Sequence, residues 1–223
     1  MSGSFLGPRF GEAEIQDAIA KESLVARRVE PGDVAAEVAR LLAAENVIGL
    51  MQGRMEFGPR ALGGRSIIAD ARSTKMQSVL NLKIKFRESF RPFAPSILAE
   101  ATGDWFDQSY SSPFMVLVYD VLPGRRDRVP AITHVDGTGR LQTVERRANP
   151  RYYRLIEAFA EITGVPIVLN TSFNDNEPVV MTPAHAIDTF RKTRMDVLVL
   201  GNYVVSRAAG PAVASTAARA SAS

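Results

Sequence analysis

Three arginines, Arg54, Arg60 and Arg65, share the fifteen-residue stretch GRMEFGPRALGGRSI (53–67) with four glycines. A guanidinium cannot shed its charge and is seldom buried without partners, so arginine at this density calls for anions. The glycines let a ligand come close to the backbone. Met55, Phe57, Leu62, Ile67 and Ile68 run through or just past the segment, so it is no solvated tail. Three further polar islands follow. KIKFRESFRPFAP carries Lys83, Lys85, Arg87 and Arg91 within nine residues. HVDGTGRLQTV sets His134, Asp136 and Arg140 around a glycine turn, and NTSFND brings Asn170, Ser172 and Asn174 off the end of an apolar run.

Arginine forks grip phosphate oxygens in pairs, and lysine supplies a movable point charge. Serine and asparagine add neutral hydrogen bonds that orient a ligand. The set suits a phosphate-bearing small molecule. Each island also has a plain structural reading: a basic run as a solvated face, a lone histidine as a hydrogen-bonded structural group, Asn and Ser as turn formers. Neither a GxxxxGK[ST] loop nor a GxGxxG opening a helix occurs. Residue types and spacing reach a phosphate or nucleotide site and name no reaction.

The islands sit between regular elements. Helical spacing predicts a short amphipathic helix through Ile15, Ala18 and Ile19, and another over 33–46. VIGLMQG and SIIAD read as strands on either side of the arginine-glycine loop. STKMQSVLNLKIKF reads as a helix capped by Ser73. PFAPSILAE and the longer, apolar PFMVLVYDVL read as strands, and AITHVDGTGRLQTV as a hairpin or two short strands. RYYRLIEAFAEITG is a helix closed by Gly164. VPIVLNTSFN is a buried strand that ends in polar residues. TPAHAIDTFRKTRMD is a helix capped by Thr182 with Pro183 first, and VLVLGNYVVS supplies one or two closing strands. Mixed strands and helices in this order make an α/β domain with a mixed, twisted sheet. Residues 1–30 read as a lead-in, 31–206 as the folded domain and 207–223 as a disordered Ala/Ser-rich tail.

Composition narrows the chemistry. The 223 residues include no cysteine and only two histidines, His134 and His185, which removes thiol nucleophiles, disulfides and a protein-made transition-metal site. Mg²⁺ carried in by phosphates stays open. A formal charge of +3 argues for local rather than bulk positive charge, and so against a general nucleic-acid binder. No apolar run nears the ~20 residues of a membrane span, and the N-terminus has no signal-peptide core. The expectation is a cytoplasmic enzyme or subunit with no membrane contact.

Taken together, GRMEFGPRALGGRSIIADAR, LNLKIKFRESFRPFAPSIL, THVDGTGRLQTV, TGVPIVLNTSFND and MDVLVLGNYVV resemble the C-terminal domain of the NodU/CmcH-type O-carbamoyltransferases, which decorate antibiotics and nodulation factors. The likeness runs from about Leu6 to Val205, and FLGPRFGEAEI resembles the segment that joins this domain to the one before it. The resemblance implies a YrdC-like fold, an open twisted mixed sheet flanked by helices around a positively charged cavity. It implies ATP, Mg²⁺ and carbamoyl phosphate as ligands and carbamoyl adenylate as product, with phosphate and pyrophosphate released. A separate N-terminal-type domain would then pass the carbamoyl group to an acceptor hydroxyl.

Lys85 with Arg87, and Ser172 with Asn174, match the YrdC-like lysine–arginine and serine–asparagine pairs. Lys85, Arg87 and Arg140 are the implied catalytic residues. Arg54, Arg60, Arg65, Arg91, His134, Asn170, Ser172 and Asn174 are the implied ligand-binding ones. Asn176 stands where the family has glycine, and asparagine tolerates the left-handed backbone that such a turn would need. The family's N-terminal domain lies outside this sequence, which leaves a split subunit, an excised domain or a remnant as expectations. Two other readings are a non-catalytic partner subunit and an RNA-binding module. Near charge balance and the lack of an aromatic-interleaved basic tract weigh against RNA.

Overall fold

The computed structural model describes residues 3–207. Its strands are β1 (Arg27–Arg28), β2 (Ile48–Met51), β3 (Arg65–Asp70), β4 (Ala94–Leu98), β5 (Tyr119–Asp120), β6 (Thr138–Gly139), β7 (Gln142–Val144), β8 (Ile167–Ser172), β9 (Val197–Leu200) and β10 (Tyr203–Ser206). Its α-helices are α1 (Glu12–Lys21), α2 (Val34–Ala43), α3 (Met76–Lys83), α4 (Thr102–Trp105), α5 (Pro150–Thr163) and α6 (Pro183–Lys192). Eight strands form one mixed sheet in the order β1-β10-β9-β2-β3-β8-β4-β7, and β5 pairs with β6 apart from it.

The continuous apolar runs of β2 and β9 take the middle of the sheet because both faces there are covered. Side-chain alternation then sorts each strand between two layers. Ile48, Leu50, Ile68 and Val168 pack under α2 and α5 with Val38, Leu42, Ile156 and Phe159. Ile67, Leu169 and Leu198 face the other way, against Ile15, Leu80, Ile187 and Phe190 from α1, α3 and α6. Asn149 caps α5 by accepting from the Tyr152 amide at 3.2 Å, and Gly164 ends that helix at φ 69°. Thr182 caps α6 by accepting from the His185 amide at 3.2 Å, with Pro183 following. The YrdC-like class of mixed sheet between helices is the fold observed.

Several elements differ from the sequence-based expectation. Only Tyr119–Asp120 of the apolar run 113–122 is strand. Val116, Leu117 and Val118 are exposed and pair with no strand among the described residues. Of the two readings for 131–144, the hairpin fails and the two short strands hold: β6 pairs with β5, and β7 lies parallel to β4. Ser73 does not cap α3. The chain enters that helix through a backbone turn, the Met76 amide bonding the Ser73 carbonyl at 3.3 Å. Residues 12–28, read as lead-in, supply α1 and the edge strand β1, and β1 pairs with β10.

The expected tail over 208–223 lies outside the described residues. Arg207, expected as its first residue, instead belongs to the fold. Its Nε donates to the Met195 carbonyl at 2.8 Å and its guanidinium stacks 4.9 Å from the Phe190 ring. Among the described residues no helix is long and apolar enough to cross a membrane.

Candidate functional site

Neighbouring strands bring the four polar islands to one end of the sheet. Ser66 of β3 pairs with Ser172 of β8, and Ala94 of β4 pairs with Asn170 of β8. The arginine-glycine loop runs into β3, the basic loop runs into β4, and NTSFND leaves β8. Arg140 sits between β6 and β7, and β7 is the next strand beyond β4. Loops outside strand ends are where α/β sheets hold ligands.

Arg60, Arg87, Arg140, Asn170 and Ser172 line one cleft of about 190 Å³, with no carboxylate among its lining residues. Arg87 is preset on two sides: its Nε donates to Asn81 Oδ1 at 2.7 Å, and its guanidinium lies 4.9 Å from the centre of the Phe93 ring. Asn81 is itself fixed by donating to the Ser89 and Arg91 carbonyls at 3.0 and 2.8 Å. The Arg140 Nε is buried with no hydrogen-bond partner among the described residues. Burial and then the charge of Arg60 push Arg140 below the usual guanidinium range, and burial and then Arg91 do the same to Arg87. Crowded, partly desolvated cations of this kind are relieved by an anion.

Beside the cleft, Lys85 is buried and its ammonium group donates to the Ser172 carbonyl, the Asn174 carbonyl and Asn174 Oδ1, each at 2.7 Å. Ser172 Oγ donates to the same Asn174 Oδ1 at 2.7 Å, and Asn174 Nδ2 donates to the Glu177 carbonyl at 2.6 Å. Lysine, serine and both asparagine carboxamide ends thus form one connected unit. The following turn is held by Asp175, whose Oδ1 accepts from the Asn176 and Glu177 amides at 2.6 and 3.1 Å. Asn176 is not among the residues with positive φ, so the turn does not draw on its left-handed tolerance.

The remaining expected residues sit elsewhere. For Arg65 the expectation and the geometry part ways. It is fully buried, and its guanidinium donates to the carbonyls of Gln52 at 3.1 Å, Gly64 at 2.9 Å and Pro8 at 3.2 Å. It braces the loop from beneath. Arg54 is exposed and donates to the Gly7 carbonyl at 3.0 Å. Arg91 is exposed, 3.9 Å from the Glu88 carboxylate. His134 is half-buried, its Nδ1 lying 3.1 Å from Thr138 Oγ1. Burial and Arg140 pull this imidazole below its ordinary value, against an opposing push from Asp136. Neither Arg54, Arg65, Arg91 nor His134 lines the cleft.

A model of the family described as carbamoyltransferase C-terminus matches residues 39–207. The chain belongs to that family. Nodulation protein NolNO of Sinorhizobium fredii is 50% identical to this carbamoyltransferase domain over 179 residues, covering 78% of this chain and 26% of its own length. An uncharacterized protein of Synechocystis is 48% identical over 234 residues, covering 95% of this chain and 38% of its own length. The chain therefore spans only about a quarter to two fifths of these relatives. Among solved structures, full-length HypF in a phosphate- and nucleotide-bound form superposes with a TM-score of 0.54 at 17% identity, over 77% of this chain and 25% of that one. HypF from T. kodakarensis gives 0.53 at 16% identity, over 82% of this chain and 23% of that one. That likeness is one of fold.

The carbamoyltransferase domain also uses residues that sequence reading passed over. Glu56, buried in the arginine-glycine loop, accepts through Oε1 from the Leu62 amide at 2.7 Å and the Gly64 amide at 2.6 Å. It is the one acid of that stretch, a signal that was available. Gly63, at φ 100°, lets the loop pass against the Tyr152 ring, where a Cβ would stand 2.3 Å from a ring carbon. Asn81, Ser96 and Gln142 carry no signature beyond being polar inside apolar runs.

Lys85 gives a pH test. Burial first, and the Arg87 charge second, bring its ammonium group down to about 7. The unfolded chain keeps this lysine protonated to about pH 10. Between those values the unfolded state binds the extra proton, so this group's contribution to stability rises as pH climbs through 7. Denaturant midpoints of the wild-type chain should therefore rise from about pH 6.5 to 8.5 relative to Lys85→Met. Parallel curves for the two proteins would show that Lys85 does not titrate there.

Proposed function

We propose that this chain is the part of an O-carbamoyltransferase that binds carbamoyl phosphate and ATP and forms carbamoyl adenylate for a separate N-terminal-type domain. The observation that carries the reading is the convergence of Arg60, Arg87 and Arg140 on a cleft with no acid in its lining. Family membership supports carbamoyl chemistry, and the HypF neighbour of the same fold is a phosphate- and nucleotide-bound protein.

The chemistry balances with one water. Water adds to the carbonyl of carbamoyl phosphate, the C–O bond to phosphate breaks, and carbamate and inorganic phosphate result. A carbamate oxygen then attacks the α-phosphorus of ATP, and the bond to the β-phosphate oxygen breaks to release pyrophosphate. Both steps concentrate negative charge and need positioning more than a protein nucleophile. Arg87, held by Asn81 and Phe93, presents a fixed fork to phosphate oxygens. Arg140 offers its unpartnered Nε, and Arg60 adds charge at the exposed rim. Lys85, with Ser172 and Asn174, orients the groups entering from the β8 end.

A cleft of about 190 Å³ suits an acyl phosphate or the reacting phosphates of a nucleotide rather than a whole nucleotide, so the adenosine would lie over the open surface. Among the described residues no group of three or more His, Asp or Glu is placed to hold a metal ion. Mg²⁺ on this reading arrives on the phosphates and supplies charge neutralisation there.

The purified chain should form AMP and pyrophosphate from ATP only when carbamoyl phosphate and Mg²⁺ are both present. It should not carbamoylate an alcohol until an N-terminal-type partner is added. No nucleotide turnover with the partner present would refute the proposal. Arg87→Ala should weaken carbamoyl phosphate binding by about 1.5–3 kcal/mol, the worth of a lost charge-assisted hydrogen bond. Calorimetric titration measures it, and an unchanged affinity removes Arg87 from the phosphate site.

A further inference from the structure

Among the described residues, two buried polar atoms on the cleft's lining side chains lack partners, the donor Arg140 Nε and the acceptor Asn170 Oδ1. Arg140 is answered by any phosphate. Asn170 is not, because phosphate oxygens only accept.

The orientation of Asn170 follows from its surroundings. Backbone carbonyls can only accept, which fixes two carboxamides in turn. Gln142 Nε2 donates to the Leu62 carbonyl at 3.1 Å, so Gln142 Oε1 must face inward. Ser96 Oγ donates to that oxygen at 2.7 Å. Asn170 Nδ2 lies 3.0 Å from the Ala61 carbonyl, 3.0 Å from Ser96 Oγ and 3.2 Å from Gln142 Oε1. A flipped Asn170 would set oxygen against the Ala61 carbonyl. Its Oδ1 is thus held as an acceptor, shut off from bulk water, on a residue that lines the cleft. A buried acceptor left unmade is costly, and an N–H group seated in the cleft would answer it.

We propose that Asn170 determines specificity by accepting a hydrogen bond from the amino group of the carbamoyl end, with Ser96 and Gln142 as positioning residues. The inference rests on the carbamoyl phosphate reading above. Carbamoyl phosphate carries N–H donors at one end and phosphate acceptors at the other, matching Asn170 and the arginines. Acetyl phosphate has nearly the same shape and phosphate but a methyl group in place of the amine. A site built around a buried acceptor rejects the analogue that cannot fill it.

The test is displacement calorimetry of the purified chain with carbamoyl phosphate, acetyl phosphate and inorganic phosphate. The wild-type chain should prefer carbamoyl over acetyl phosphate by about 10- to 100-fold, the range of one hydrogen bond to a buried group. Asn170→Ser, checked by thermal unfolding, should bring that ratio to within about threefold while inorganic phosphate affinity stays within about twofold. Equal binding of the two acyl phosphates by the wild-type chain overturns the Asn170 assignment alone and needs no variant. A folded Asn170→Ser chain that keeps the preference overturns it as well. Failure of the wild-type chain to bind either acyl phosphate overturns the carbamoyl phosphate reading, and this inference with it.

Discussion

Arg65→Met should lower the unfolding free energy by about 3–5 kcal/mol, the loss seen when one member of a buried charged set is removed. Arg65 is fully buried, and its guanidinium satisfies the carbonyls of Pro8, Gln52 and Gly64. In the methionine variant the Gln52 carbonyl loses this donor, the Pro8 and Gly64 carbonyls keep one backbone donor each, and the buried carboxylate of Glu56 loses the buried cation whose charge it faces. The measurement is the denaturant midpoint at constant slope. Arg60→Met is the control. Arg60 is exposed at the cleft rim, so its loss should leave stability within about 0.5 kcal/mol and weaken phosphate binding instead. A loss below 1 kcal/mol for Arg65→Met would mean that the loop does not depend on this brace.

Lys85→Met should reduce carbamoyl-phosphate-dependent AMP formation by about a thousandfold, roughly 4 kcal/mol of transition-state stabilisation, comparable to removing one preorganised donor from an active site. Lys85 joins the Ser172 and Asn174 carbonyls to Asn174 Oδ1, so its removal takes away a charge and frees the β8 exit at once. The effect should fall on kcat more than on KM, because Arg60, Arg87 and Arg140 remain to bind the ground state. Turnover within tenfold of wild type would place Lys85 outside the chemistry and leave it a structural tie.

The arginines were legible as a group, and their individual fates were not. Arg60 and Arg65 lie five residues apart in one loop. Arg65 begins β3 and is carried inward by the strand's register, whereas Arg60 stays at the rim. What decides between them is the fold of the intervening loop, set by Glu56 bonding the Leu62 and Gly64 amides, and spacing does not reveal that. Lys85, Ser172 and Asn174 were legible only as motif residues. Their mutual hydrogen bonds depend on the pairing of β8 with β4, which no local pattern encodes.

Helix ends were read well where local chemistry sets them, as at Gly164, Thr182 and Pro183, and misread at Ser73, whose side chain caps nothing. Strands were read well where buried on both faces. The failure came at Val116–Val118, where apolar residues mimic a core strand yet remain exposed. Apolarity alone does not supply a pairing partner.

The order of the sheet has a consequence for how the chain folds. β1 pairs with β10, β2 with β9 and β3 with β8, so beyond the β2–β3 pair the early strands wait for the late ones. Each pairing closes a long loop before it returns any contact energy, which slows folding relative to a helical protein of the same size. During synthesis the floor of the cleft does not exist until Ser172 has left the ribosome, and the sheet stays unsealed until β10 follows. A nascent chain of this protein can therefore brace its arginine-glycine loop early, through Arg65 and Glu56, but acquires its anion-binding end only once β8 has been made.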